Sequence, residues 1–427
     1  MKKSEFNILI PFGKAIIIYN TLWDSAIAIN RKDANLWGID NESDLSSLDS
    51  RIANILINKH IIIEDSVNEL DIIKERLNKI NNSQDQFEII VVPTLACNFS
   101  CWYCYENHNT QDIISMTEIN SIISMLCKII VQNKKIQTIK IQFFGGEPML
   151  CFDTVIKPLI IGITTNTQLN KKKLSIGMTT NGYLLSSDKV LFFKKFPIEC
   201  FQITIDGNKA RHNLVRYSYK GENTYDVIIE NIKNIIQNDM HVVLRLNISE
   251  NTNLIIKDLL NSFEDVRDKI NFLHFSIQKV WQAGEEVYHT IDQIVKQIRD
   301  KGYDAATYFT NPSSIWQTCY ADKKNHLVMN PNGKIFGCTA RNFSNKQIEG
   351  QLLPNGDIKW FPLHQRRRLI SPLDFPSCLN CKILPICIGG CSQHLMEAKD
   401  KTSCPLCMDD NVKLVYAKRV LSEKLKY

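Results

Sequence analysis

The chain has 427 residues, 22% of them charged, and a net charge of +6. That excess is too dilute to mark a nucleic-acid binder by itself, and the length exceeds one ordinary core, so two or three domains are expected. No run reaches the roughly 18 apolar residues of a membrane span and the N-terminus lacks a signal-type apolar region, so no membrane association is expected and a cytoplasmic location is.

In chain order, residues 1–87 read as a unit of their own. "FNILI", "KAIIIYN" and "SAIAIN" are short strands, helical patterns follow near 45–58 and 67–80, and "HIIIED" between them is a strand or wing. This predicts a small winged-helix-like module. The helix before the wing is poor in base-reading Arg and Lys, so nucleic acid is not the expected partner; an exposed edge strand would suit capture of an extended peptide instead.

From 88 to 302, short apolar runs alternate with longer amphipathic ones. Strands are expected at 88–92, 138–144, 174–179, 200–205, 241–248 and 270–278, and helices near 117–132, 153–163, 187–195, 224–237, 253–268 and 286–300. Six strand–helix units imply an α/β fold with a parallel sheet and right-handed crossovers, open or closed. Alternation separates the two. Gln202 and Thr204 share a face with Asp206, Arg245 with Asn247, and His274 with Ser276 and Gln278. A closed eight-stranded barrel fills its interior with branched apolar side chains, whereas this polar face suits a wider, partial (β/α)6 TIM-like barrel whose lumen holds a polar ligand. The loops beyond the strand carboxyl ends carry the distinctive segments: Cys97 to Cys104 after the first strand, "GGEP" (Gly145, Gly146, Glu147, Pro148) after the second, "TTNG" (179–182) after the third and "TIDG" (204–207) after the fourth.

Fourteen cysteines in a reducing compartment point to metal rather than disulfides. Three lie in "TLACNFSCWYCYEN", at Cys97, Cys101 and Cys104. Cysteine-built zinc sites usually close with four ligands, while three thiolates would hold three corners of a four-iron cube and leave the fourth iron open to a small molecule. Eight more lie between 319 and 407: Cys319, Cys338, Cys378, Cys381, Cys387, Cys391, Cys404 and Cys407. Such density in a loop-rich segment is what metal-centred folding produces, with zinc ribbons as the rival to iron and sulfide. Cys127, Cys151 and Cys200 sit in or beside apolar runs and read as inert thiols. "HLVMNPNGKIFGC" reads as a hairpin on an Asn-Gly turn.

The loop Cys97-x3-Cys101-x-Tyr103-Cys104 resembles the radical S-adenosylmethionine signature, the 319–407 pattern resembles that superfamily's SPASM extension, and the N-terminal module is similar to the peptide-recognition domain of maturases of ribosomally made peptides. The resemblance implies three segments: a leader-recognition domain (1–87), a radical S-adenosylmethionine barrel (88–302), and a SPASM domain with a C-terminal helix (303–427). It implies three 4Fe-4S clusters, one binding S-adenosylmethionine and two auxiliary, and reductive cleavage of the sulfonium to a 5'-deoxyadenosyl radical that takes hydrogen from the substrate. Cys97, Cys101 and Cys104 would hold the first cluster. Gly145 to Pro148 would meet the methionine amino group, Thr204 its carboxylate or the ribose, Arg216 or Arg245 the carboxylate, and Tyr103 the adenine side. Cys319, Cys338 and Cys391 would surround one auxiliary cluster; Cys378, Cys381, Cys387 and either Cys404 or Cys407 the other. The family's further cysteine just before Cys319 has no counterpart here, where Ser313 and Ser314 stand, so that cluster would keep an open iron unless a distant residue closes it. Sulfatase-maturating relatives carry an Asp base after the cysteine that here is Cys338, and here Thr339 follows. The implied partners are a precursor peptide with a leader and an external reductant such as flavodoxin or ferredoxin, with no nucleic acid. The implied outcome is an oxidative modification of the peptide, such as a thioether or carbon–carbon cross-link. The alternatives are a formylglycine maturase and, outside enzymes, a zinc-structured winged-helix binding protein.

Overall fold

The computed structural model describes residues 1–30, 50–108, 111–249, 256–284, 287–307 and 314–424. The start of the 45–58 helical pattern, the first residues of the 253–268 and 286–300 patterns, and Ser313 lie outside the described residues. The chain divides into two compact units. One is Met1–Ser83 with Phe309–Lys324 and Arg366–Tyr427, the other Gln84–Tyr308 with Asn325–Gln365.

In the first unit, β1 (Lys2–Lys3) pairs antiparallel with β5 (Ile62–Ile63), and β2 (Asn7–Phe12), β3 (Ala15–Asn20) and β4 (Ser25–Asn30) form an antiparallel meander. These are the strands expected from the apolar runs, with "HIIIED" supplying β5. Helices follow at Ser50–Asn58 and Glu69–Asn81; the second starts where the Asn68 side chain accepts from the backbone N–H groups of Leu70 and Asp71. The short N-terminal elements cannot bury a core alone. Phe6, Leu22, Ile73 and Leu77 pack with Ile315, Phe375 and Leu384, while Ile8, Ile10 and Tyr19 pack with Ile383, Ile386 and Val420. The cysteine-rich C-terminal segment and the N-terminal module therefore share their apolar cores. Thr21 Oγ1 donates to Lys382 O at 2.6 Å within the same packing.

The second unit is an eleven-stranded sheet. In chain order its strands are β6 (Gln86–Val91), β7 (Thr138–Phe143), β8 (Lys173–Thr180), β9 (Ile198–Thr204), β10 (Val242–Ile248), β11 (Leu273–Lys279), β12 (Asp304–Thr307), β13 (His326–Met329), β14 (Lys334–Phe336), β15 (Gly350–Leu352) and β16 (Ile358–Trp360). They lie in the order β12-β11-β10-β9-β8-β7-β6-β13-β14-β15-β16. From β12 to β13 every pairing is parallel. Each of the six strands expected from the sequence is present within a few residues of its expected bounds. The parallel set extends further than expected at both sides, through β12 and β13. Both are four residues long, too short to carry a readable period. β13 pairs with β6, so residues 325–365, read from sequence as part of the third segment, belong with the sheet. The Asn-Gly turn is as expected: Asn332 and Gly333 have φ of +63° and +64°, joining β13 to β14.

Helices Met116–Gln132, Lys157–Thr165, Ser187–Phe193, Tyr225–Gln237, Ile256–Asn261 and Val287–Asp300 alternate with β6 to β12. The first opens on a reciprocal cap between Ser115 and Glu118. One expectation is corrected here. The run Pro148–Thr165 is long and apolar enough by composition to cross a membrane, but half of it is buried, with Leu159, Ile160 and Ile163 in the core of this unit. Its apolarity is that of a helix packed on a sheet.

The two faces of the sheet differ as the alternation predicts. Ile141, Phe143, Met178, Ile203, Leu244, Leu246, Phe275 and Ile277 are buried in one continuous core with the helices. On the other face Arg245 lies in register with Thr204 and Ser276, and Gln202 with Thr179. Gln202, Arg245, Asn247, Ser276 and Gln278 are half-buried, and they bond along the face: Arg245 Nε donates to Asn247 Oδ1 at 2.9 Å and Gln278 Nε2 to Ser276 Oγ at 2.9 Å.

Candidate functional site

The cysteine loop leaves the carboxyl end of β6 and is gripped on two sides. On one side Gly146 N donates to Thr94 O at 3.3 Å and Glu147 N to Ala96 O at 2.9 Å. On the other, Ser100 N donates to Tyr217 O at 3.2 Å and Tyr219 N to Asn98 O at 3.2 Å, around an antiparallel bridge between Phe99 and Ser218. The two glycines are sterically required. A Cβ on Gly146 would stand 2.2 Å from Ala96 O and 2.4 Å from Leu95 O; one on Gly145, at φ +122°, would stand 2.6 Å from Thr94 O. Gly146→Ala is therefore expected to push this strip off the loop and to destabilise the second unit by about 1–3 kcal/mol, read from urea unfolding midpoints; an unchanged midpoint would show that the close approach is dispensable.

Glu147 is wholly buried and does not face an open site. Its Oε1 accepts from Met149 N at 2.9 Å and Thr180 Oγ1 at 2.7 Å, and its Oε2 from Asn181 N at 2.7 Å. Asn181 Nδ2 donates onward to Asn98 Oδ1 at 2.8 Å. The cysteine loop, "GGEP" and "TTNG" are thus one network, with Glu147 as its positioning residue and buried Pro148 opening the turn that follows.

Cys97 and Cys101 are half-buried and Cys104 is exposed. Burial, reinforced by the nearby Glu147 carboxyl, pushes the Cys97 thiol up to about 12, and burial also raises Cys101 and Cys104. Thiols held protonated are poor nucleophiles at neutral pH, and they ionise when a metal cation replaces the proton. His108, four residues past Cys104, adds an imidazole to the loop that cysteine spacing alone leaves out: its Nε2 lies 3.3 Å from Cys104 Sγ and its Nδ1 2.7 Å from Leu95 O. Among the described residues no three His, Cys, Asp or Glu side chains are close enough together to hold a single metal ion.

Beside the thiols lies a buried polar chain. The Tyr103 hydroxyl donates to Asp206 Oδ2 at 2.5 Å and accepts from Arg216 Nη1 at 2.7 Å. Burial raises the Asp206 carboxyl while Arg216 pulls it down. Burial opposes the Arg216 charge, yet the Asp206 carboxylate and the hydrogen bond to Tyr103 favour it. Asp206 Oδ1 and Arg216 Nε are buried with no hydrogen-bond partner among the described residues. Of the two arginines left open by sequence, Arg216 reaches the cysteine loop and Arg245 stays on the polar face beside Asn247 and Thr204. Tyr103, assigned to the adenine side, has its hydroxyl in this chain. Asp206 and Asn181 lie inside "TIDG" and "TTNG", which were legible as loops but not as the donors and acceptors they contribute.

In the first unit, Cys378 and Cys387 are buried and Cys381 and Cys404 half-buried. Beyond burial, Cys381 and Cys404 raise Cys378 and Cys387 by their charge, and Cys404 raises Cys381. Cys407 is exposed, at φ +55°. Cys319 and Cys391 share a hydrogen bond that raises the first and lowers the second, and His394 Nδ1 lies 3.2 Å from Cys391 Sγ. Cys338, in the second unit, is buried and its sulfur accepts from Ala340 N at 3.3 Å.

The donor set fits a cluster with a zwitterionic cosubstrate. Three thiols follow the first strand of a parallel sheet, and an unanswered carboxylate oxygen and guanidinium nitrogen lie beside them. Residues 91–270 match the model of the Radical SAM superfamily, a match that covers this domain, and the cofactors it indicates are a 4Fe-4S cluster and S-adenosylmethionine. Among curated relatives, the chain is 24% identical over 378 residues to the radical SAM cyclopropyl synthase TigE of Paramaledivibacter caminithermalis, covering 80% of this chain and 76% of that one. It is 21% identical over 348 residues to the serine-type anaerobic sulfatase-maturating enzyme of Klebsiella aerogenes, covering 74% and 82%. In fold it is similar to Streptococcus suis SuiB, seen bound to S-adenosylmethionine (TM-score 0.56, 17% identity, 96% of this chain and 99% of that one) and bound to precursor peptide SuiA (TM-score 0.53, 16% identity, the same coverage).

Proposed function

We propose that this chain is a maturase of a ribosomally made precursor peptide, in which the parallel sheet forms a partial barrel around its polar face and the substrate is oxidatively modified there. The observation that carries it is the cysteine loop clamped between "GGEP" and the 217–219 segment, beside Asp206 Oδ1 and Arg216 Nε, two buried atoms without a hydrogen-bond partner among the described residues. With both cofactors bound, the cluster supplies one-electron cleavage of S-adenosylmethionine to a 5'-deoxyadenosyl radical. The protein's part is positional. Cys97, Cys101 and Cys104 hold the cluster, Gly145 and Gly146 allow the strip to approach it, and Arg216, Asp206 and Thr204 bind the cosubstrate's polar groups. Arg245, Asn247 and Gln278 present hydrogen bonds to what enters the lumen.

A macromolecular substrate is supported by the rim. Trp102, Tyr217, Tyr219 and Trp281 are between 43% and 61% exposed near the thiols, with Tyr105 stacked on Trp281 at 4.6 Å. In the first unit β4 has one strand neighbour, β3, among the described residues, and an extended leader would add along its other edge. SuiB with its bound precursor peptide, similar in fold along nearly the whole chain, supports this. The likeness to the sulfatase-maturating enzyme favours a formylglycine maturase as second reading; Thr339 after Cys338, in place of an acidic base, speaks for the peptide cross-linking class.

The test is anaerobic reconstitution with S-adenosylmethionine and a reductant such as flavodoxin or ferredoxin, and mass spectrometry of a candidate leader-bearing precursor peptide after co-expression. An unmodified peptide, with 5'-deoxyadenosine formed only on a sulfatase-derived peptide, would decide for the second reading. Three clusters predict about twelve irons per chain. Replacing the ligating one of Cys404 and Cys407 is expected to lower this by about four and replacing the other to leave it unchanged, so Cys404→Ser and Cys407→Ser compared side by side tell the two apart.

A further inference from the structure

His212 is wholly buried in the second unit, on the short helix Lys209–Val215, and its ring nitrogens meet the two ends of the polar chain beside the thiols. Nδ1 lies 3.4 Å from Asp206 N. Nε2 lies 3.1 Å from Thr224 Oγ1, which in turn donates to Arg216 O at 2.7 Å. Donor supply fixes the tautomer. A carbonyl only accepts, so the one hydroxyl proton of Thr224 is spent on Arg216 O, and the Thr224 oxygen accepts from His212 Nε2–H. Nδ1 is then bare and accepts from the Asp206 backbone N–H. A proton on Nδ1 would set two donors against each other, so the imidazole is neutral. Burial and the neighbouring Arg216 charge act in the same direction, holding the ring well below its usual range.

The junction around the ring is pinned as well. Arg216 N donates to His212 O at 2.7 Å, and Asn213 Oδ1 accepts from the N–H groups of Thr224 and Tyr225, each at 3.1 Å, where the helix Tyr225–Gln237 begins. Tyr225 packs edge-on against the imidazole, with ring centroids 5.5 Å apart. A purely apolar ring would fill this space. The imidazole adds a link between the backbones of residues 206 and 216, whose side chains meet through Tyr103 and carry the buried, unpartnered Asp206 Oδ1 and Arg216 Nε.

We propose that His212 is a positioning residue for the cosubstrate: as the neutral Nε2–H tautomer it ties Asp206 to Arg216 through Thr224, and so sets the spacing of the carboxylate and guanidinium that receive S-adenosylmethionine. The inference rests on the assignment of Asp206 and Arg216 to the cosubstrate in the function proposed above. It makes a side chain that does not itself reach the cosubstrate govern how tightly the cosubstrate is held.

The test uses the full, anaerobically reconstituted chain, with iron counted first and S-adenosylmethionine affinity then measured by equilibrium dialysis. His212→Phe keeps a ring and removes both hydrogen bonds. Affinity is expected to fall about tenfold, the scale of a hydrogen bond to a buried group, with iron content unchanged. Thr224→Val cuts the same link at its other end and is expected to have the same effect, so it decides should His212→Phe fail to fold. The double variant is expected to bind no more weakly than either single one, because a single link is broken. A histidine that only fills the core would lower the urea unfolding midpoint and leave the affinity of the iron-loaded chain untouched. Unchanged affinity in the variants, or losses that add in the double variant, would overturn the proposal. Arg216→Met is run alongside: if it still binds S-adenosylmethionine, the cosubstrate assignment itself falls. If it does not bind while His212→Phe and Thr224→Val bind normally, the positioning role alone falls.

Discussion

Cys101→Ala is expected to abolish 5'-deoxyadenosine formation and to remove about four irons per chain. The loop offers three thiols, and a four-iron cube open at one corner needs all three; two cannot fix its orientation, so the loss should be complete rather than partial. The backbone contacts that hold the loop come from Gly146, Glu147, Tyr217 and Tyr219, and none passes through the Cys101 side chain. The variant is therefore expected to fold with the auxiliary clusters in place, which makes the loss of four irons rather than twelve the informative number. Cys127→Ala is the matched control: Cys127 lies on the helix Met116–Gln132, with its thiol 3.5 Å from Asn166 Oδ1, and both iron and turnover should survive. Iron quantitation and product analysis check both, and undiminished turnover in Cys101→Ala would remove the loop's assigned role.

The sheet was legible because its physics is local. Strands buried on one face by Ile, Val and Phe and polar on the other write an alternating pattern, whereas the Ser115–Glu118 and Asn68 caps that open two of the helices come from the structure. β12 and β13 were illegible because four residues carry no period and their places are set by pairing with β11 and β6. Pro148–Thr165 shows the reverse: its composition suits lipid, and only the surrounding core shows what covers it. At the site, the thiols and glycines were visible as spacing, whereas Asp206 and Arg216, ten residues apart, meet only through Tyr103, which lies more than a hundred residues earlier. Glu147 was visible as part of a strip, but its task of joining three loops depends on Thr180, Asn181 and Asn98, which no local pattern links to it.

Arg216→Met should destabilise the second unit by about 3 kcal/mol or more and abolish S-adenosylmethionine binding, because it strips the charge from a buried chain while leaving Asp206 in place. Arg216 now opposes the burial that raises the Asp206 carboxyl. Without it, burial acts alone and the carboxyl rises further. A carboxyl whose folded pKa lies above its unfolded one favours the protonated folded form, so the variant keeps most of its stability below the ordinary Asp range and loses it as pH climbs toward the raised folded value. The deficit relative to the unsubstituted chain should accordingly be smaller in mildly acidic than in mildly alkaline solution, as read from urea unfolding midpoints. Arg216→Met/Asp206→Asn removes the stranded charge and should recover part of the stability without restoring cosubstrate binding, since the guanidinium is still missing. A deficit that is flat with pH, or a double variant no more stable than Arg216→Met, would mean that the carboxylate is answered by something other than Arg216.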